Sequence, residues 1–273
     1  MTDAPVPDRR PLPSVPLLSV VVPVRNEAPN LRPLIAEIGA ALHATPHEIV
    51  YVDDGSTDDT PARLRALRAE LAAAGQTLVL RRHRDSCGQS AAVLTGVRAA
   101  SGAWIATLDG DGQNDPADIP ALLARAQALE ADGGATPVLV AGHRTTRRDT
   151  RTKRLASRAA NRIRAALLHD ATPDTGCGLK LVRRDAFLAL PHFDHMHRYL
   201  PALVLRAGGR VESVPVNHRP RTRGTSNYGT LDRLWVGIFD LVGVAWLQRR
   251  WTRPVLDERV LDERVLDERV LDE

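Results

Sequence analysis

Short runs rich in β-branched and apolar residues recur at a nearly constant interval: Leu17 to Val22, His47 to Val52, Thr77 to Arg81 and Ala103 to Leu108. In the first, Leu-Leu-Ser-Val-Val-Val, apolar side chains occupy both parities. That suits a strand covered on both faces, as in a parallel sheet. Between the runs lie helical stretches: Leu31 to Leu42 behind Asn30, with Pro33 in its first turn; a long Ala/Leu/Arg-rich stretch capped by Thr57 or Asp58, running to about Ala74 and stopped by Gly75; and Gly88 to Ala100. The order β-α-β-α-β-α-β predicts an α/β fold, a doubly wound, mostly parallel sheet with helices on both faces. Ligands of such sheets sit outside the carboxyl ends of the strands. The polar residues Arg25-Asn26-Glu27, Asp53-Asp54, and Asp109 with Asp111 all fall at those ends.

The stretch Thr107 to Pro116 is the richest of these. Asp109 and Asp111 are two residues apart after a buried run, so their side chains point the same way, and Gln113 continues the alternation. Three hard oxygen donors suit a Mg2+ or Mn2+ ion that keeps open positions for phosphate oxygens. An acidic turn is the plainer reading, since Asp, Gly, Asn and Pro all favour loops. Glu27 and one of Asp53 and Asp54 are placed to accept N–H groups of a nucleotide base; helix capping and surface charge are the alternatives. No Walker loop occurs, and no GxGxxG follows the first run, which argues against a dinucleotide site.

Charge is spread unevenly. From Arg144 to Arg164 nine Arg or Lys residues face one acid, Asp149. Within it Arg151 to Leu168 reads as an amphipathic cationic helix, lying on a membrane surface or simply solvated. The basic excess suits phosphates. It lacks interleaved aromatics for stacking bases and any DNA-reading motif, which argues against nucleic acid. A strand at Pro137 to Ala141 precedes it, and another, Arg210 to Val216, follows. Arg219, Arg221 and Arg223 then form a cationic clamp, because guanidinium binds phosphate through paired hydrogen bonds. Asp174, before Gly176, stands in a glycine-broken loop and reads on its own as a turn residue. Cys87 and Cys177 have no metal or redox spacing and read as free thiols in a reducing compartment.

The expected organisation is a flexible proline-rich arm over residues 1–16, one catalytic domain over 17–230, an amphipathic helical segment over 231–253, and a Val-Leu-Asp-Glu-Arg repeat tail over 254–273. The arm has no apolar signal-peptide core, and no run reaches the ~18 apolar residues of a spanning helix. Leu234 to Leu247 carries Asp240 and suits a bilayer surface or a second subunit. A period of five builds no helical stripe, so the tail reads as low-complexity sequence.

Taken together, Pro23-Val24-Arg25-Asn26-Glu27, Val52-Asp53-Asp54-Gly55-Ser56-Thr57-Asp58, Asp109-Gly110-Asp111-Gly112-Gln113, Asp174-Thr175-Gly176 and Arg221 to Tyr228 resemble the family 2 inverting glycosyltransferases of GT-A fold. The resemblance is to the branch of dolichol-phosphate mannosyltransferase and bacterial polyprenyl-phosphate glycosyltransferases. It implies a nucleotide-sugar donor, UDP- or GDP-linked, and a polyprenyl phosphate acceptor at the cytoplasmic membrane face, with a saccharide or lipid A-type hydroxyl as the alternative. It places Pro23, Arg25, Glu27, Val52, Asp53, Asp54, Asp109, Gly110 and Asp111 around the nucleotide sugar, and Asp109, Asp111 and Gln113 on the metal. Asp111, Arg144 and Arg221 would be catalytic, and so would Asp174, as the general base if the acceptor is a hydroxyl, with Arg221, Arg223 and Ser226 on the acceptor phosphate. Arg25 stands where the mannosyltransferases usually carry an aromatic, and Asn227 where they often carry Lys. The membrane helices of many bacterial relatives do not follow, so the resemblance implies peripheral attachment, a homo-oligomer or an integral-membrane partner.

Overall fold

Leu18, Val20 and Val22 of the first strand point to one side of the sheet and Val21 to the other, all fully buried, and this alternation sets up two cores. The computed structural model describes residues 16–133, 136–145, 163–220, 232–250 and 252. Its strands are β1 (Leu18–Val24), β2 (His47–Asp54), β3 (Leu78–His83), β4 (Trp104–Thr107), β5 (Val138–Arg144), β6 (Lys180–Arg183) and β7 (Arg210–Val216). They form one seven-stranded sheet in the order β3-β2-β1-β4-β6-β5-β7. The helices are α1 (Leu31–Ala41), α2 (Thr60–Ala73), α3 (Gln89–Ala99), α4 (Ile119–Gly133), α5 (residues 163–168), α6 (Arg184–Leu188), α7 (Leu200–Arg206) and α8 (Asp232–Arg249).

Helices α1, α2 and α4 bury Leu31, Ile38, Leu64 and Leu122 against one face. On the other, α3, α6, α7 and α8 bury Val97, Phe187, Leu203 and Val244. The mostly parallel, doubly wound prediction holds, with one inserted exception. β6 runs antiparallel to both neighbours, β4 and β5, while β5 pairs parallel with β7. The amino end of β6 therefore lies beside the carboxyl end of β4, with Lys180 opposite Thr107. The loop before β6 is thereby delivered to the rim that carries the ends of β1, β2, β4, β5 and β7.

Several local expectations are corrected. Neither Thr57 nor Asp58 caps α2: Asp59 holds the cap position, and Asp58 Oδ1 accepts from Thr60 N at 2.9 Å one step earlier. Asn30 sits at the α1 cap position but its amide donates to Glu27 Oε2 at 2.6 Å, so it caps nothing. Only residues 163–168 of the expected cationic helix are described, and they are helical. The proline-rich arm up to residue 15, the repeat tail, and Arg221, Arg223, Ser226 and Asn227 lie outside the described residues. Among the described residues no helix is long and apolar enough to cross a membrane.

Candidate active site

Parallel pairing of β1 with β2 and β4 puts three acidic loops side by side on one rim. The first two are laced together. Asn26, in a left-handed conformation (φ 57°), donates from its backbone to Ser56 Oγ at 2.9 Å and accepts from Thr57 N at 2.9 Å. Glu27 N donates to Thr60 Oγ1 at 3.0 Å. Glu27 is buried, Arg25 is exposed, and Pro23 lines the cleft in front of Asp109.

The β4 loop presents its carboxylates differently. Asp109 accepts from Gln89 Nε2 at 2.8 Å, and Asp111 Oδ1 accepts from its own loop at Gln113 N, 3.0 Å. Gly112 turns the loop with φ 74°, a conformation that suits a residue without a β-carbon. Burial, and then the neighbouring Asp111 charge, push the Asp109 carboxyl up to about 6, against the opposing pull of Lys180, Arg144 and Gln89. Gly178 packs directly on this carboxylate, so that a β-carbon there would collide with it. A buried carboxylate at Asp109 beside a second one at Asp111, with a side-chain oxygen of Gln113 on the same loop, fits a hard divalent cation. Asp109, Asp111 and Gln113 would hold it, and it would supply charge neutralisation to a bound diphosphate.

Across the rim, β5 ends at Arg144. Its Nε and Nη2 donate to Asp174 Oδ2 and Oδ1 at 2.6 and 2.8 Å, and its backbone N adds a 3.3 Å contact. Both side chains are nearly buried, at 12% and 7% exposure. This corrects the reading of Asp174 as a base. Both oxygens of the Asp174 carboxylate already accept from the Arg144 guanidinium, so its hydrogen-bonding capacity is turned toward Arg144 and away from an incoming hydroxyl. The contact fixes the orientation of the Arg144 guanidinium. Asn217 to Pro220, which carries Arg219, the first arginine of the expected clamp, is strapped to the β4 loop. Arg219 N donates to Gln113 O at 2.9 Å, Arg219 Nη2 reaches Asn114 O at 2.9 Å and Glu37 at 2.7 Å, and Asn217 Nδ2 reaches Asp115 at 3.0 Å.

The β2 loop departs most from expectation. Asp54 accepts from His83 Nδ1 at 2.7 Å, Ser86 Oγ at 2.8 Å, Cys87 N at 2.8 Å and Gly88 N at 3.0 Å. Burial pushes its carboxyl up, but these four donors together outweigh burial and leave it below the usual range. With four donors on two oxygens it has no lone pair left for a nucleotide base. Asp54, His83 and Cys87 bring three ligand-type atoms within 4.8 Å of one another. The converging N–H and O–H groups make that cluster a hydrogen-bonded hub, and a cation would have to evict them. Asp53 accepts from Ser56 N at 2.9 Å and meets Arg82 at 3.1 Å, which makes it a turn residue. Val52 is wholly inside the core and can offer a ligand only backbone atoms. Gly110 is buried against Pro23 and Val24.

Four site residues escaped sequence reasoning. Gln89 follows Gly88 at the start of α3 and reaches Asp109. Lys180 is buried, its Nζ donating to Cys177 O; burial pulls its pKa down, and the charges of Cys177, Asp109 and Asp174 oppose this. His197 lines the same cleft, bonded through Nδ1 to Ser90 Oγ at 2.7 Å, and burial holds it well below the usual histidine value. Asn114 Oδ1 accepts from Asp109 N at 3.3 Å. Gln89, next to a glycine at a helix start, and Asn114, five residues after Asp109 in one loop, are local; Lys180 is brought in by β6 and His197 by the turn before α7. Both cysteines are free thiols.

A mostly parallel sheet with a carboxylate pair at the β4 end and a fixed arginine opposite defines a glycosyltransferase of GT-A architecture. The chain belongs to the Glycosyl transferase family 2, whose model matches residues 19–190. It is 36% identical over 246 residues to a dodecaprenyl-phosphate galacturonate synthase of Rhizobium johnstonii, covering 87% of this chain and 69% of that protein. It is 34% identical over 227 residues to an undecaprenyl-phosphate 4-deoxy-4-formamido-L-arabinose transferase of an Enterobacter species, covering 82% and 66%. The chain thus spans about two thirds of the length of these relatives. Its fold is similar to glucosyl-3-phosphoglycerate synthase of Mycobacterium tuberculosis in complex with Mn2+, UDP-glucose and glycerol 3-phosphate. The TM-score is 0.56 at 19% identity, covering 85% of this chain and 80% of the other.

Proposed function

We propose that this enzyme moves a sugar from a nucleoside-diphosphate donor, UDP- or GDP-linked, to a polyprenyl phosphate, with Mg2+ or Mn2+ at Asp109, Asp111 and Gln113. It would act as a peripheral protein on the cytoplasmic face of the membrane. One observation carries the choice of acceptor: Asp174 is locked on Arg144. A hydroxyl acceptor needs a base to remove its proton, whereas a phosphate monoester is already ionised at neutral pH. The names of the similar relatives, both polyprenyl-phosphate sugar transferases, support the same reading.

A phosphate oxygen of the acceptor attacks the anomeric carbon from the face opposite the diphosphate. The new C–O bond forms as the bond to the donor diphosphate breaks, with inversion, and the nucleoside diphosphate leaves with the electron pair. Arg144, oriented by Asp174, meets the growing negative charge, and the rigid fork is set before the reaction begins. Gln89 holds Asp109 in place, while Gly178 packs directly behind its carboxylate. The test offers radiolabelled UDP- and GDP-sugars with either short-chain polyprenyl phosphate or a free saccharide. Label is expected in the polyprenyl phosphate alone. Label in the saccharide alone would overturn the reading.

A further inference from the structure

From Gly237 to Arg250, α8 and the residue after its end have two sharply different sides. On one side Tyr199 Oη donates to Gly237 O at 3.1 Å, Asp240 meets His195 at 3.2 Å, Val244 is buried, and Gln248 Nε2 donates to Leu168 O at 3.0 Å. These positions follow helical spacing and bolt α8 to the segment that supplies His197 and to the end of α5. On the other side Ile238, Phe239, Val242 and Trp246 are exposed, Phe239 at 73%. The adjoining α5 turn adds Ile163 and Leu167, also exposed. All the exposed positions between 237 and 250 are apolar, glycine or arginine, the last being Arg249 and Arg250. The one acid in that span, Asp240, faces inward.

We propose that this face, Ile163, Leu167, Ile238, Phe239, Val242 and Trp246, docks the enzyme on a bilayer containing anionic lipid. Contiguous exposed apolar side chains on a helix call for a partner. Charge selects it: the patch carries no exposed acid among its described α8 positions, it ends in two arginines, and the sequence leading into α5 has nine basic residues to one acid between 144 and 164. Apolar and aromatic residues on one face, flanked by arginine, are the composition of a helix lying in a membrane interface. Because the inner side of α8 holds the segment 195–199, docking also fixes the His197 side of the cleft relative to the lipid surface. The inference deepens the proposed lipid-phosphate acceptor and rests on it for the presence of a membrane.

The test uses the full chain and sedimentation with vesicles of phosphatidylcholine, alone or mixed with phosphatidylglycerol. Transfer to short-chain polyprenyl phosphate in detergent is measured in parallel. Wild type is expected to pellet with the mixed vesicles. The double variant Phe239→Asp/Trp246→Glu should bind roughly tenfold or more weakly while keeping wild-type transfer in detergent. Unchanged vesicle binding in the variant overturns the proposal. So does a wild type that transfers in detergent but never pellets, in which case the catalytic reading stands alone. Vesicle binding lost in the variant, with no label ever entering polyprenyl phosphate, leaves docking supported and the acceptor wrong. A wild-type dimer that the variant splits, without vesicle binding, makes the face a subunit interface and also overturns it.

Discussion

Asp54 and Asp109 stand at the ends of nearby parallel strands on one rim, yet their surroundings act on them in opposite directions. Asp54 collects four donors, and its carboxyl lies below the usual range. Asp109 has one side-chain donor from Gln89, sits close to Asp111, and is pushed up to about 6. The first carboxylate is complete within the protein and organises the 83–88 loop. The second pair is left short of positive charge, a deficit that a divalent cation would fill, leaving the cation's open positions for a diphosphate. An acidic residue at a strand end therefore says little until its donors are counted.

The sharpest way to break this contrast is to truncate the deficient pair. Asp111→Ala is expected to lower transfer by about a thousandfold or more, with an unchanged circular dichroism spectrum and melting temperature. Full turnover in that variant would remove the pair from the chemistry. Next, Gly178→Ala drives a methyl group into the Asp109 carboxylate. Steady-state assays should show a loss of roughly a hundredfold from that misplacement, while Gly39→Ala, where nothing lies within 4 Å, has little effect.

The complete carboxylate should fail differently. Asp54→Asn leaves backbone and hydroxyl donors facing an amide, and is expected to destabilise the fold by about 2–3 kcal/mol. Denaturant unfolding measures that loss, and kcat per folded molecule should change by less than about tenfold. A kcat collapse at full stability would return Asp54 to the nucleotide site.

The smallest effect is on pH. Asp109 is raised in the fold, so between its ordinary value of 3.8 and about 6 the folded chain holds more protons than the unfolded one. Its contribution to metal-free stability is present at low pH and falls as pH rises through that window. Asp54 works with the opposite sign: its contribution is present above 3.8 and is lost as pH falls through its depressed folded value. Manganese binding should weaken as pH drops below about 6, because a proton competes at Asp109. Metal titrations at several pH values check this, and affinity independent of pH across that window would contradict it.

Local pattern carried much of the fold into view. The runs that become β1 to β5 and β7, and the helices α1 to α3, stand in the sequence to within a few residues, because burial on both faces and helix-stopping glycines are short-range signals. The four residues of β6 are too few to show a period, and its antiparallel insertion depends on partners some 40 or more positions away. α4 buries Leu122, Leu123, Ala126 and Leu129, but it follows the loop-type residues Asp115-Pro116 without a clear helix start in the sequence. At the site, Asp109 and Asp111 were legible because two residues of spacing put them on one side of the chain. The Arg144–Asp174 fork spans 30 positions, and the donors to Asp54 arrive from 29 to 34 positions away. No local rule reveals such pairings, which is why Asp174 read as a base and Asp54 as a base-binding residue.

The most direct measurement is the thermal shift produced by UDP and by GDP, with and without Mn2+, on the wild type, Asp111→Ala and Asp54→Asn. The account predicts a manganese-dependent rise in melting temperature with one of the two nucleotides in the wild type. That rise should persist from a lower baseline in Asp54→Asn and vanish in Asp111→Ala. An equal rise in Asp111→Ala, or a rise lost only in Asp54→Asn, would contradict it.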